Sequence, residues 1–105
     1  MPRHNQEDKR TISISLLSMK LTLPGCQSLK QKRSQLQPIL SRLHKEFNVS
    51  AAEIGFNDIW QSSLLGVVII SNDANHNARV LNKAVVFIET NFPEIQIEDF
   101  QISSD

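Results

Sequence analysis

Hydrophobic positions along this chain follow two periods in turn, and the changes of period outline its elements. Residues 1–10, MPRHNQEDKR, hold no hydrophobe beyond Met1 and read as a flexible arm. Ile12, Ile14 and Leu16 then alternate with polar neighbours, and Leu17, Met19, Leu21 and Leu23 alternate in the opposite phase. Period two predicts a strand. The switch of phase predicts a bulge near Leu16–Leu17, or an early extension that pairs separately. Pro24-Gly25 ends the strand.

The period then lengthens. Leu29, Leu36, Ile39, Leu40, Leu43 and Phe47 fall on one arc when the chain turns ~100° per residue. This predicts a helix from about Leu29 to Phe47, with Ser28 and Gln31 at capping-box spacing. Pro38 projects onto its solvent face; an interior proline typically costs about 3 kcal/mol, so one helix bent there is expected. Asn48 is a candidate helix end. Val49–Gly55 reads as a short strand, 56–63 as a polar loop and Leu64–Ser71 as a strand. That last strand is apolar on both phases, which predicts a central place covered on both faces. Ser71 or Asn72 can cap a second helix, with Asp73 favoured near its positive end. In it Ala74, Ala78, Leu81, Ala84, Val85 and Ile88 share a face. After Phe92-Pro93, the residues Ile95 and Ile97, then Phe100 and Ile102, predict a final strand with its own slip of phase.

The order is β-α-β-β-α-β. The economical solution in the α+β class is two split β-α-β units in a four-stranded antiparallel sheet with both helices on one face, a ferredoxin-like plait. The expected spatial order is 4-1-3-2, in one domain over residues 11–105.

Composition refines this outline. The chain has 105 residues, 40% hydrophobic and 21% charged, enough apolar content to build a core and exclude wholesale disorder. Its 11 basic and 11 acidic residues cancel, but residues 1–50 hold nine Lys/Arg against three Asp/Glu, and residues 51–105 hold two against eight. The neutral total conceals a basic half and an acidic half. No stretch approaches the roughly 20 apolar residues of a membrane span, and the polar start lacks the apolar middle of a signal peptide. The single Cys26 excludes an internal disulfide. A cytoplasmic location without membrane association is expected.

Strand directions sort the candidate residues into two edges. The upper edge takes Gly25, Ser28, Lys30, Lys32 and Arg33 with the loop residues Asn57, Asp58, Trp60 and Gln61. Three cations in the first turn and a half of a helix oppose its dipole by a few tenths of a kcal/mol each. They suit an anion at exposed helix amides, or a solvated turn paired with Asp58. Lys32 projects into the apolar arc; it snorkels past the sheet edge or points at whatever the loop holds. Trp60 is a lid with its indole N–H bonded to a loop carbonyl, or a stacking or interface anchor. The lower edge takes His44, Asn72, Asp73 and His76. Asp73 and His76 lie one helical turn apart, but two ligands make no metal site; a cap and an exposed histidine are the simpler reading. Cys26 is expected as a small loop residue without a histidine partner. No phosphate loop, dinucleotide fingerprint, zinc-protease motif or nucleophile elbow is present, so no catalytic residue, cofactor or metal is assigned. An enzyme would need a pocket above Asp58.

Two surfaces could meet a partner. Recognition domains of this topology stack RNA bases on aromatics of the two central strands, and neither central strand here carries one. The electrostatic route is open: Lys30, Arg33, Gln37, Ser41, His44 and Lys45 form one solvent stripe of the first helix. An ordinary solvated face would look the same. On the open sheet face, either Val67 with Ile69 or Val68 with Ile70 must point away from the helices. Such a patch tends to be covered, by the arm, the Ile12–Leu16 extension or a second copy in a homodimer.

The runs LPGCQSLKQKR (Leu23–Arg33), FNVSAAEIGFNDIWQ (Phe47–Gln61) and LGVVIISNDANH (Leu65–His76) resemble the YlxP-like family of small bacterial proteins of unknown function. The resemblance covers about residues 16–102. It implies a ferredoxin-like fold. Genes of that family often neighbour those for translation initiation and ribosome maturation factors, which implies a ribosome-related role. Its motif positions are Ser28, Leu29, Lys30, Lys32 and Arg33; then Glu53, Gly55, Asp58, Trp60 and Gln61; then Ser71, Asn72, Asp73 and His76. Pro38 and the first ten residues depart from the pattern. The expectation is a non-enzymatic cytoplasmic module that binds RNA or a ribosomal particle. Lys30, Lys32, Arg33 and Lys45 would meet phosphate beside a loop shaped by Asp58, Trp60 and Gln61. The alternative is an assembly module acting through the aliphatic sheet face.

Overall fold

The computed structural model describes residues 12–105; the predicted arm lies outside the described residues. The elements are β1 (Ser13–Thr22), α1 (Leu29–Glu46), β2 (Ser50–Gly55), β3 (Ser62–Ser71), α2 (Ala74–Asn91) and β4 (Gln96–Ser104). The sheet order is β2-β3-β1-β4 with every pair antiparallel. This is the ferredoxin-like α+β plait, with β1 and β3 central.

Both helices pack on one face of the sheet. Leu36, Ile39 and Leu43 of α1 and Leu81, Ala84, Val85 and Ile88 of α2 meet Leu17, Met19, Leu21, Leu65, Val67 and Ile69. Phe47, Phe87 and Phe92 join edge to face around one end, with centroids 5.6 and 6.5 Å apart. Pro38 sits exposed within an unbroken α1, where water can satisfy the carbonyl it frees. Ser28 caps α1 by accepting from the Gln31 amide at 3.0 Å, while Gln31 Oε1 accepts from the Gln27 amide at 2.9 Å. Helix α2 starts one residue later than expected: Asp73 is its cap, accepting from the Asn75 and His76 amides. Ser71 instead ties the approach, accepting from the Asp73 amide and donating to Asn77 Oδ1 at 2.6 Å. Helix α1 closes at Phe47 rather than Asn48.

The slip in β4 is present. Ile97 faces Leu21 and Phe100 faces Met19, with the register shifting between Lys20 and Leu21. The bulge expected near Leu16–Leu17 is not. Strand β1 pairs with β3 in one register from Ser13 to Thr22. Its phase switch is an inversion of polarity. Ser13 and Ser15 face the helices in the lower half, and Leu17, Met19 and Leu21 do so in the upper half. Ile14 and Leu16 therefore face outward, as do Val68 and Ile70 of β3, their partners across the ladder. Central β3 is thus covered on its Val67 and Ile69 side, not on both sides.

Candidate functional site

At the upper edge the start of α1, the β1–α1 loop and the β2–β3 loop are bound together. Lys32 is the fastener. It is 1% exposed, and its ammonium donates to Phe56 O at 2.6 Å, to Ile59 O at 2.7 Å and to the Glu53 carboxylate at 2.7 Å. These three acceptors use all three of its donors. Ser63 Oγ donates to the same Glu53 oxygen at 2.7 Å. Lys32 points at the loop, so its expected role as a phosphate contact is corrected. A buried charge is tolerated only when paired and hydrogen-bonded, and here the pairing spends it.

The loop itself turns sharply. Phe56 adopts a left-handed φ of 58°, and the Ile59 amide donates to Phe56 O at 3.0 Å. Gln61 fastens the other side: its Nε2 donates to Cys26 O at 2.6 Å, and its carbonyl accepts from the Leu23 amide at 2.9 Å. Cys26 is the loop residue expected, packed into the core from the β1–α1 connection, and its thiol donates to Ser28 O at 3.4 Å. Held from below, the loop displays Ile59 and Trp60 to solvent, 48% and 45% exposed. Trp60 is thus no lid; among the described residues no hydrogen bond involves its indole N–H. Asp58 is exposed and joins no ion pair among the described residues, so the expected pairing with the basic turn is absent.

Lys30, Arg33, Gln37, Ser41, His44 and Lys45 are all exposed along α1. Lys30, Arg33 and Lys45 make no ion pair within the described residues. Arg42 lies on a different side, its guanidinium 4.8 Å from the Phe87 ring and 3.7 Å from Glu46. It marks the side of α1 toward α2. His44 marks the opposite side, where its Nε2 accepts from the Ala51 amide of β2 at 3.0 Å. The His44 end of the stripe therefore meets the free edge of β2. Sequence reasoning missed this bond, because nothing in the spacing of His44 and Ala51 signals it.

At the lower edge Asn72, Asp73 and His76 are exposed around the start of α2, where Asp73 acts as cap. Among the described residues no group of three or more His, Cys, Asp or Glu is placed to hold a metal, and no cavity opens. No described helix is long and apolar enough to cross a membrane. Glu98 is held below the usual carboxylate range, first by the Thr22 hydroxyl and then by the ammonium of Lys20, 3.3 Å away. Lys20 also lies 5.6 Å from the centre of the Phe56 ring.

Comparison with known proteins places these features in a lineage. The chain is similar to the "Uncharacterized protein YlxP" of Bacillus subtilis (strain 168), 41% identical over 69 residues, which is 66% of this chain and 74% of that protein. Two solved structures are similar at a lower level. One is the de novo designed protein Foldit4, with 12% identity, 90% of this chain and 96% of that one covered, and a TM-score of 0.47. The other is LarC2, the C-terminal domain of a cyclometallase involved in synthesis of the NPN cofactor of lactate racemase, with 11% identity and a TM-score of 0.46. The match spans 90% of this chain but 56% of the LarC2 chain. The family model described as protein of unknown function (DUF503) matches residues 14–102, the whole plait from β1 nearly to the end of β4, and the chain belongs to that family.

Proposed function

We propose that this protein is a non-enzymatic cytoplasmic module that binds RNA, free or within a ribosomal particle, through α1 and the adjoining β2–β3 loop. The observation that carries this reading is the stripe of Lys30, Arg33 and Lys45, exposed on one side of α1 and not engaged by any acid of the described residues. Such cations neutralise phosphates and release counterions without reading sequence. The second support is the rigid tip carrying Trp60. A stacking platform costs less to use when it is already fixed, and Lys32 and Gln61 fix this one. Four acids of the acidic half, Glu94, Glu98, Asp99 and Asp105, lie on and around the opposite edge strand β4, while Asp58 is exposed on the β2–β3 loop itself.

The test is binding of a single-stranded oligoribonucleotide and of purified ribosomal RNA at several salt concentrations. The triple variant Lys30→Ala, Arg33→Ala, Lys45→Ala is expected to bind more weakly. Its log-log salt slope should be shallower by about 2, since each lost contact to a single strand contributes about 0.7. Wild-type protein that shows no salt-dependent RNA binding would refute the reading.

A further inference from the structure

We propose that the open face of the sheet is the interface of a symmetric dimer of this chain. The inference goes beyond the RNA reading and uses the opposite side of the sheet from α1.

The polarity of β1 carries it. An antiparallel sheet with one wet face shows polar residues on that face and apolar ones toward the core. The lower half of β1 does the reverse. Ser13 and Ser15 are buried against the helix layer, while Ile14 and Leu16 are 43% and 37% exposed on the outside. The inversion leaves costs on the inner side. Among the described residues the Ser13 hydroxyl is buried without a partner, and Ser15 Oγ is held by Ser104 Oγ alone at 2.7 Å. A monomer would gain by exchanging the two sets. The arrangement makes sense where the outer face is the drier one.

The outer aliphatics are contiguous. Ile14 pairs with Ile70 and Leu16 with Val68 across the ladder, and Ile70 and Val68 are 63% and 40% exposed. Further up, Ile54 lies over Gly66, where a Cβ would come within 3.0 Å of Ile54 Cδ1. The missing side chain at Gly66 lets the strip continue without a gap. On the β4 side the strip ends against Glu98, Asp99, Gln101 and Ser103, an apolar patch with a polar rim.

Size and composition select the occupant. Strands of ten, six, ten and nine residues, about 4.8 Å apart and rising about 3.3 Å per residue, present a face on the order of 550 Å² in projection. A stable interface buries about 800 Å² per partner, so a sheet face of this size is of the right order. Residues 1–11, which lead into β1, comprise two acids, three Lys/Arg and a histidine, with Met1 as their one hydrophobe. They lack the aliphatic side chains to match the strip. A second copy supplies a matching strip at once, in an isologous contact that closes at two.

The experiment is sedimentation of the full chain across micromolar concentrations, at low and at high salt. Wild type is expected as a dimer that persists in high salt, because the contact is apolar. Val68→Glu with Ile70→Glu should sediment as a monomer with an unchanged circular dichroism spectrum. Should that variant fail to fold, Val68→Thr keeps the shape and strand preference and is expected to weaken dimerisation about tenfold, or ~1.4 kcal/mol. Ile59→Glu, on the loop, should leave the dimer intact. A monomeric wild type, or a dimer indifferent to both Val68 variants, overturns the proposal. Neither result bears on RNA binding, which is read by the salt slope of the α1 variants.

Discussion

The Lys32 ammonium and the Glu53 carboxylate meet at 2.7 Å with side-chain exposures of 2% and 19%, one residue from α1 and one from the edge strand β2. Together with the carbonyls of Phe56 and Ile59 they form a closed polar network at the end of the core. Breaking such a pair from one side leaves the other side buried and unpaired. Lys32→Met should therefore cost about 3–5 kcal/mol in urea unfolding. Replacing both partners, Lys32→Met with Glu53→Leu, should cost less than the sum of the single changes. A Lys32→Met protein within ~1 kcal/mol of wild type would contradict the network.

The backbone at two turns predicts an ordered set of costs. Gly25 and Phe56 both have positive φ, 75° and 58°. Nothing lies within 4 Å of a Cβ added at Gly25, so Gly25→Ala should lose only the backbone term, about 1–2 kcal/mol. At Phe56, asparagine should be accepted within ~1 kcal/mol and valine should cost more, because a β-branched side chain resists this conformation. Thermal unfolding of the three variants checks the order.

Asn77 is fully buried and joins three elements: its Nδ2 donates to Ser13 O of β1 at 3.2 Å, and its Oδ1 accepts from Ser71 of β3. Asn77→Ala takes the side-chain donor from the Ser13 carbonyl and leaves the Ser71 hydroxyl only the longer contact to Asp73 O at 3.1 Å. A loss of about 1–3 kcal/mol is expected by denaturant unfolding.

Acid should weaken one surface contact. The Glu98 carboxyl is depressed below its ordinary range by Thr22 and Lys20. A group depressed on folding stabilises the native state above its unfolded pKa and loses that contribution as pH falls through the folded value. Wild type should exceed Glu98→Gln at neutral pH, and the difference should fade below the ordinary glutamate value of about 4.3. The group is fully exposed, so added salt should also shrink the difference.

Trp60 separates stability from binding. Exposed at the loop tip, it should tolerate Trp60→Ala within ~0.5 kcal/mol in unfolding. If it stacks a base, the same change should lower single-strand RNA affinity by about 1–3 kcal/mol. Unchanged affinity would remove Trp60 from the interface and leave the basic stripe to stand alone.

The sequence by itself determined the element order, the arc of α1 that is buried, the Ser28 cap and the slip in β4. These rest on local periodicity and on hydrogen bonds reaching three or four residues, which one segment expresses alone. It also showed that β1 changes phase, and that Lys32 lies in an apolar arc. The tertiary structure decided what those two signals mean. A phase change is a bulge or an inversion of faces depending on the register with β3, and the unbroken pairing of Ser13–Thr22 makes it an inversion. A lysine in an apolar arc reaches solvent or turns inward depending on what lies beyond it, and here that is two carbonyls 24 and 27 residues away. Both outcomes depend on contacts between segments distant along the chain, which no periodicity within a segment encodes.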